Sequence, residues 1–225
     1  MWEPQASALK EDGYEFLTPR LYNLGRSMDE WANAILARVP QSFVLVGASM
    51  GGYAALEIAR RAPERLLGLV LSGSRADADP PERRATREKA LELVREGGAK
   101  ALWEEMQRGP FSGTPEEVRR RLDPIAEAQT PEGLANAITA IRDRRDSQFV
   151  LSTLDVPFMI VVGDNDPLIS PDEARTHATL AAGRAEIFES TGHLPSFERP
   201  ERFNELLLEF LVISDVGSGR NGRWN

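Results

Sequence analysis

The sequence predicts an α/β fold in which a mostly parallel sheet is covered by helices on both faces. Two apolar runs, 43–46 and 66–71, flank a stretch with helical periodicity. Apolar strands separated by a helix are typical of parallel sheets, because helices cover both faces of such sheets. A third apolar run over 156–163 and a short one over 185–188 extend the predicted sheet.

Residues 75–147 interrupt this alternation, because they contain charged amphipathic helices and no strand-like run. The segment begins where a strand ends, and open α/β sheets bind ligands at the carboxyl ends of their strands. We therefore expect a helical cap over the functional site; extra helices packed on the sheet are the alternative. The core then comprises 1–74 and 148–225, of which the polar, Gly-rich stretch 214–225 is expected to be a disordered tail.

The remaining elements follow from local signals. A helix is predicted over 2–10, and a strand over Tyr14–Thr18 that ends at Pro19. Ser27 precedes an amphipathic stretch with Glu30 three residues later, which indicates a helix with a capping box.

Composition excludes several classes of function. The net charge of −8 and the pI of about 5.0 argue against nucleic acid or an anionic membrane surface as a partner. The sequence has no cysteine and only two histidines, His177 and His193, so we expect neither a thiolate nor a histidine-rich metal site. No apolar run reaches membrane-spanning length and the N-terminus lacks a signal-peptide pattern, so a cytoplasmic location is expected.

The most informative motif is Gly-x-Ser-x-Gly at 47–51, which lies between the first apolar strand and a helix. A sharp strand-to-helix turn brings backbone segments close together, and Gly47 and Gly51 remove the Cβ atoms that would collide. Such a turn projects the Ser49 hydroxyl from the sheet and directs the Met50 N–H toward any oxyanion formed there. The alternative is a Gly-rich turn with a structural serine.

A serine nucleophile needs a base, and the base needs a carboxylate that orients it. His193 follows the last predicted strand, whereas His177 lies in a helical surface pattern and is expected to be solvated. Asp164 and Asp166 both follow the strand over 156–163. Asp166 is favoured as the carboxylate because the turn carries it past the strand end, and Asp164 is expected to cap the turn.

Three stretches resemble the α/β-hydrolase superfamily, in particular its small serine esterases and enol-lactonases with a helical cap. The resemblance covers nearly all of the chain from Trp2 to Leu211. The stretches are Val-Gly-Ala-Ser-Met-Gly-Gly at 46–52, Val-Pro-Phe-Met-Ile-Val-Val-Gly-Asp-Asn-Asp-Pro at 156–167, and Gly-His-Leu-Pro-Ser-Phe-Glu-Arg-Pro-Glu-Arg-Phe-Asn at 192–204. The resemblance implies Ser49 as nucleophile, Asp166 as acid and His193 as base.

The sequence also departs from this family. Family members open with further strands and a His-Gly turn that supplies a second oxyanion donor, so the chain resembles an N-terminally truncated member. The family's Asp-x-x-Gly-x-Gly-x-Ser loop has Arg20 and Asn23 in place of the Asp and the first Gly. We expect the strand at 43–46 to have one unpaired edge, unless Tyr14–Thr18 or a second copy in a homodimer pairs with it.

These observations predict a serine hydrolase that cleaves a small carboxylic ester through an acyl-enzyme, without cofactor or metal. A lactonase or C–C bond hydrolase with the same triad is the alternative among enzymes. A non-catalytic hydrolase-fold protein that binds a ligand is the alternative from another class. The side chains expected to line a pocket under the cap are Trp103, Met106, Phe111 and Ile138.

Overall fold

The structure is a computed structural model that describes residues 2–214, and its centre is a four-stranded parallel sheet. The strands lie side by side in chain order: β1 (Phe43–Ala48), β2 (Leu66–Ser72), β3 (Phe158–Gly163) and β4 (Arg184–Phe188). The predicted strands at 43–46, 66–71, 156–163 and 185–188 correspond to these four.

Ten α-helices surround the sheet in the described residues. They are α1 (Glu3–Glu11), α2 (Met28–Leu36), α3 (Met50–Arg61), α4 (Pro81–Arg108), α5 (Glu116–Glu127), α6 (Pro131–Arg142), α7 (Gln148–Ser152), α8 (Pro171–Leu180), α9 (Pro195–Glu198) and α10 (Pro200–Ile213). None of these helices is long and apolar enough to cross a membrane.

Both faces of the sheet are buried, which confirms the predicted fold class. On one face, Leu71 and Ile160 pack with side chains of α3 and α8. On the other face, Val70 and Val161 pack with Phe203 and other side chains of α10. The alternation of neighbouring residues between two apolar cores explains why the strands read as continuous apolar runs.

The register of the parallel strands brings their carboxyl ends together at one end of the sheet. Ala48 at the end of β1 pairs with Ser72 at the end of β2, and Ser72 pairs with Val161 of β3. The segments that follow β1, β3 and β4 carry the sequence-predicted site residues, so the carboxyl end of the sheet positions the site.

The segment over 75–147 is helical, as expected. Gly98 has φ 65° and ψ −152°, which are not helical values, so α4 kinks at this residue. Side chains of α4 and α5 pack against Leu194 and Phe197, beside His193. The segment thus lies over the loop that follows β4.

The structure contradicts the prediction of a strand over Tyr14–Thr18. This segment is irregular, and the Tyr14 N–H donates to Leu9 O at 2.8 Å. Phe16 and Leu17 are 45% and 51% exposed, so no sheet face buries them. Among residues 2–214, the outer edge of β1 has no strand partner.

The predicted disordered tail falls almost entirely outside the described residues. Ser214, its first residue, caps α10 and is buried. Its hydroxyl donates a hydrogen bond to Phe210 O at 2.9 Å. The remainder, 215–225, lies outside the described residues.

Candidate active site

Ser49 occupies a strained turn between β1 and α3. Its φ of 49° and ψ of −118° are unfavourable for a residue with a side chain. At Gly47 a Cβ would lie 2.5 Å from Gly51 O and 2.6 Å from the Gly52 Cα, so only glycine fits there. The prediction that Gly51 also avoids a collision is wrong, because a Cβ at that position would meet only Leu21 Cδ1, at 3.8 Å. This geometry is that of a nucleophile elbow, which presents a serine hydroxyl at the end of a strand.

The structure brings Ser49, His193 and Asp166 into one hydrogen-bonded chain. Ser49 Oγ lies 2.8 Å from His193 Nε2. His193 Nδ1 lies 3.0 Å and 2.9 Å from Asp166 Oδ1 and Oδ2. His193 is 3% exposed and Asp166 is 8% exposed, so both groups are shielded from water while Ser49 is half-buried.

The two candidate aspartates have different roles in the structure. Asp166 faces His193, and its Oδ1 also accepts the Leu168 N–H at 2.8 Å. Asp164 is exposed and accepts the Thr191 N–H at 3.2 Å. The prediction that Asp164 caps its own turn is wrong, because its carboxylate accepts a hydrogen bond from the loop that leads to His193 instead.

The end of β2 supports both reacting side chains, which the sequence analysis did not foresee. Ser72 O accepts the Ser49 N–H at 2.8 Å, and the Ser74 hydroxyl donates to Ser49 O at 2.8 Å. Gly73 has φ 58°, and a Cβ there would lie 2.6 Å from His193 O. The Ser-Gly-Ser sequence at 72–74 was the only available signal.

Met50 is the first residue of α3, immediately after Ser49. The first N–H groups of a helix have no intrahelical acceptor and carry the positive end of the helix dipole. The Met50 N–H is therefore available to stabilise negative charge beside the Ser49 hydroxyl.

A long open cleft runs from Ser49 and His193 along the outer side of β1 to α1, and the four predicted pocket residues are among the many side chains that line it. The Phe111 ring meets the His193 ring edge-on, with centroids 5.7 Å apart. Trp103 Nε1 donates to Asp123 Oδ1 at 2.7 Å, so its polar atom is paired within the helical segment over 75–147. Met106 packs against two apolar clusters. One contains Trp103 and Phe111, and the other contains Leu102 and Ile138.

Tyr22, in the loop that carries Arg20 and Asn23, also lines this cleft. Burial raises the pKa of the Tyr22 phenol above its ordinary value.

His177 is buried, so the prediction of a solvated helix residue is wrong. Its Nε2 accepts the Ala76 N–H at 2.7 Å and lies 3.7 Å from Asp77 Oδ1. Burial alone would raise the pKa of the Asp77 carboxyl, but Arg75, whose Nε donates to Asp77 Oδ1 at 2.9 Å, outweighs it and holds the pKa well below its ordinary value. This cluster joins α8 to the loop after β2 and does not contact Ser49.

No group of three or more His, Asp or Glu side chains within residues 2–214 is arranged to hold a metal ion.

Curated relatives resemble the chain over most of its length. A pimeloyl-[acyl-carrier protein] methyl ester esterase of Neisseria meningitidis is 30% identical over 200 residues, which cover 84% of this chain and 64% of the relative. The match thus spans slightly less than two thirds of that relative.

Solved structures share the fold. An esterase of the thermophile Thermogutta terrifontis matches with a TM-score of 0.80 and 28% identity, over 95% of this chain and 85% of that chain. The enol-lactonase of Burkholderia xenovorans matches with a TM-score of 0.71 over 94% of this chain and 85% of that chain, and at 21% identity it supports the fold alone.

The profile described as the alpha/beta hydrolase family matches residues 1–206. This range includes the parallel sheet, the elbow at Ser49 and the hydrogen-bonded chain that ends at Asp166. The chain belongs to the alpha/beta hydrolase family.

Proposed function

We propose that the protein is a serine hydrolase that cleaves carboxylic esters with Ser49 as nucleophile. The observation that carries this proposal is the chain of hydrogen bonds from Ser49 Oγ through the His193 ring to Asp166. A serine hydroxyl on a strained elbow, a base within 2.8 Å and a buried orienting carboxylate are the groups that acyl transfer needs.

Each of the three side chains has a role in the proposed reaction. The Asp166 carboxylate accepts the Nδ1–H of His193, which leaves Nε2 free to take the Ser49 proton as Oγ bonds to the ester carbonyl carbon. The tetrahedral intermediate places its negative oxygen near the Met50 N–H. Collapse breaks the carbon–oxygen bond of the ester, and the imidazolium of His193 protonates the departing alcohol. Water then attacks the acyl-enzyme with His193 as base, which releases the acid and restores Ser49.

The substrate class is a small, partly apolar ester. Cap side chains such as Met106, Phe111 and Ile138 line the cleft beside Ser49, and apolar lining favours an apolar acyl group. The names of the Neisseria and Thermogutta relatives agree with ester hydrolysis. We also propose that residues 75–147 act as the cap that covers this cleft.

A lactone is an internal ester, so the same mechanism would open it, and the enol-lactonase among the structural neighbours has the same fold. A panel of aliphatic esters of increasing chain length and matched lactones separates the two substrates. We expect higher kcat/KM for the esters; a consistent preference for the lactones would replace the esterase proposal with the alternative.

Fluorophosphonate labelling, read by intact mass, tests the proposed function without knowledge of the substrate. The wild-type chain is expected to gain one probe adduct, because an activated serine attacks the probe phosphorus. Ser49→Ala should abolish the adduct, whereas the matched control Ser42→Ala, at an exposed position before β1, should retain it. A folded wild-type chain that stays unlabelled would favour the non-catalytic ligand-binding alternative.

A further inference from the structure

One carboxylate holds the backbone on both sides of His193. Glu198 Oε2 accepts the Gly192 N–H at 2.8 Å, and Glu198 Oε1 accepts the Leu194 N–H at 2.9 Å. We propose that Glu198 is a positioning residue that sets the direction in which the His193 imidazole points toward Ser49. This inference rests on the proposed function, because its main readout is the reactivity of Ser49.

The loop around His193 depends on these two hydrogen bonds. It connects β4 to α9, a helix of only four residues. His193 and Leu194 are 3% and 5% exposed, so their backbone groups need partners inside the protein. The N–H groups that flank His193 pair with the Glu198 carboxylate instead of a strand or helix. Hydrogen bonds to a charged acceptor are roughly twice as strong as those between neutral groups.

The backbone and the side chain of Glu198 both form hydrogen bonds with Leu194. Its backbone N–H donates to Leu194 O at 2.8 Å, while its side chain accepts the Leu194 N–H, so the two residues are joined reciprocally. A Cβ at Gly192 would lie 3.1 Å from Glu198 Oε1, a tight contact that a glycine avoids. The carboxylate therefore fits this loop on both sides of His193.

Among the other contacts of His193, Gly73 packs against the backbone carbonyl, whereas Asp166 and Phe111 hold the ring. Asp166 holds Nδ1 at 2.9–3.0 Å, and Phe111 packs against the ring. Rotation about the side-chain bonds is thus restrained, but the position of the His193 Cα depends on the loop. A displacement of about 1 Å in a reacting group can lower the rate roughly 100-fold.

The experiment compares labelling rate and ester hydrolysis in Glu198→Ala, Glu198→Gln and the control Glu201→Ala. Glu201 is an exposed glutamate three residues further along the chain, in the first turn of α10. We expect Glu198→Ala to lower the labelling rate and kcat by roughly 10- to 100-fold with KM unchanged. Glu198→Gln keeps the shape of the side chain but replaces one acceptor by an NH₂ donor. Its labelling rate and kcat should therefore lie between those of Glu198→Ala and the wild type. Glu201→Ala should match the wild type.

Several results would overturn the inference. These are a folded Glu198→Ala with the wild-type labelling rate, a loss of equal size in Glu201→Ala, or a raised KM with unchanged kcat. If Glu198→Ala does not fold, Glu198→Gln decides, and a wild-type rate in that variant overturns the role.

Labelling of the wild-type protein separates failure of the proposed function from failure of the positioning role. If wild-type Ser49 does not react, the positioning role is read by hydrogen exchange at the Gly192 and Leu194 amides and by the downfield NMR signal of His193 Nδ1–H. Faster exchange and a shifted signal in Glu198→Gln, but not in Glu201→Ala, would support positioning without catalysis. Unchanged exchange and signal would overturn it.

Discussion

At the scale of single residues, neighbouring aspartates with the same chemistry differ in what they contact. Asp166 is buried against His193, whereas Asp164 is exposed and binds the Thr191 N–H. The two residues are separated only by Asn165, so the turn after β3 alone decides which carboxylate reaches the imidazole.

This difference predicts unequal effects of matched substitutions. Asp166→Asn should lower kcat by roughly 10³-fold or more, because the Asn NH₂ favours the imidazole tautomer that cannot accept the Ser49 proton. Asp164→Asn keeps an oxygen that can accept the Thr191 N–H and should retain kcat within a few-fold. Steady-state hydrolysis of the best ester in the panel measures both. Comparable losses in the two variants would contradict the assignment of Asp166.

At the scale of elements, the helical segment over 75–147 enters and leaves the core at one place. The Ser147 N–H donates to Ala76 O at 2.7 Å, and Arg144 Nη2 donates to Asp77 O at 2.8 Å. Arg144 Nη1 forms an ion pair with Asp79 at 2.7 Å, with side chains 4% and 0% exposed. Buried contacts therefore join the two ends of the segment.

Removal of Arg144 takes away one of the two cations that pair with Asp79, since Arg87 Nε stays 2.9 Å from Asp79 Oδ2. Arg144→Ala should therefore lower the free energy of unfolding by about 1.5–3 kcal/mol, the range for a hydrogen bond to a charged group, in urea denaturation followed by circular dichroism. The control is Arg145→Ala, since the Arg145 side chain is 54% exposed and its ion pairs should contribute about 1 kcal/mol or less. Similar midpoints for the two variants would show that the buried pair does not stabilise the junction.

At the scale of the whole molecule, β1 lies at one edge of the sheet, and its residues from Phe43 to Val46 are half-buried. In the part of the chain that the structure describes, no strand pairs with this edge, and Phe16 and Leu17 lie exposed in the irregular segment that lines the same cleft. Unpaired strand edges with apolar neighbours promote association with other chains.

We therefore predict concentration-dependent self-association, measured by size-exclusion chromatography with light scattering. Leu17→Lys should shift the equilibrium toward monomer, because a charge beside a strand edge opposes pairing. Phe149→Lys is the matched control, since Phe149 is 72% exposed on α7. A monomer at all accessible concentrations, or an equal effect of both substitutions, would contradict association through the β1 edge.

The sequence by itself determined the fold class, the four strands and the elbow at Ser49. These features depend on local signals: continuous apolar runs, helical periodicity and a glycine, Gly47, where a sharp turn leaves no room for a Cβ. The selection of Asp166 and His193 used the order of strand ends, because parallel strands bring their carboxyl ends to one edge.

Only the tertiary structure decided the features that depend on distant segments. His177 lies on the buried face of α8 with Ala174 and Ala178, and its partner there, the N–H of Ala76, is 101 residues earlier in the chain. Tyr14–Thr18 has the residue types of a strand but stays irregular, since strand formation needs a neighbour to accept its hydrogen bonds. Glu198 looks like an ordinary polar residue in sequence, and its contacts on both sides of His193 appear only once the loop has folded around it.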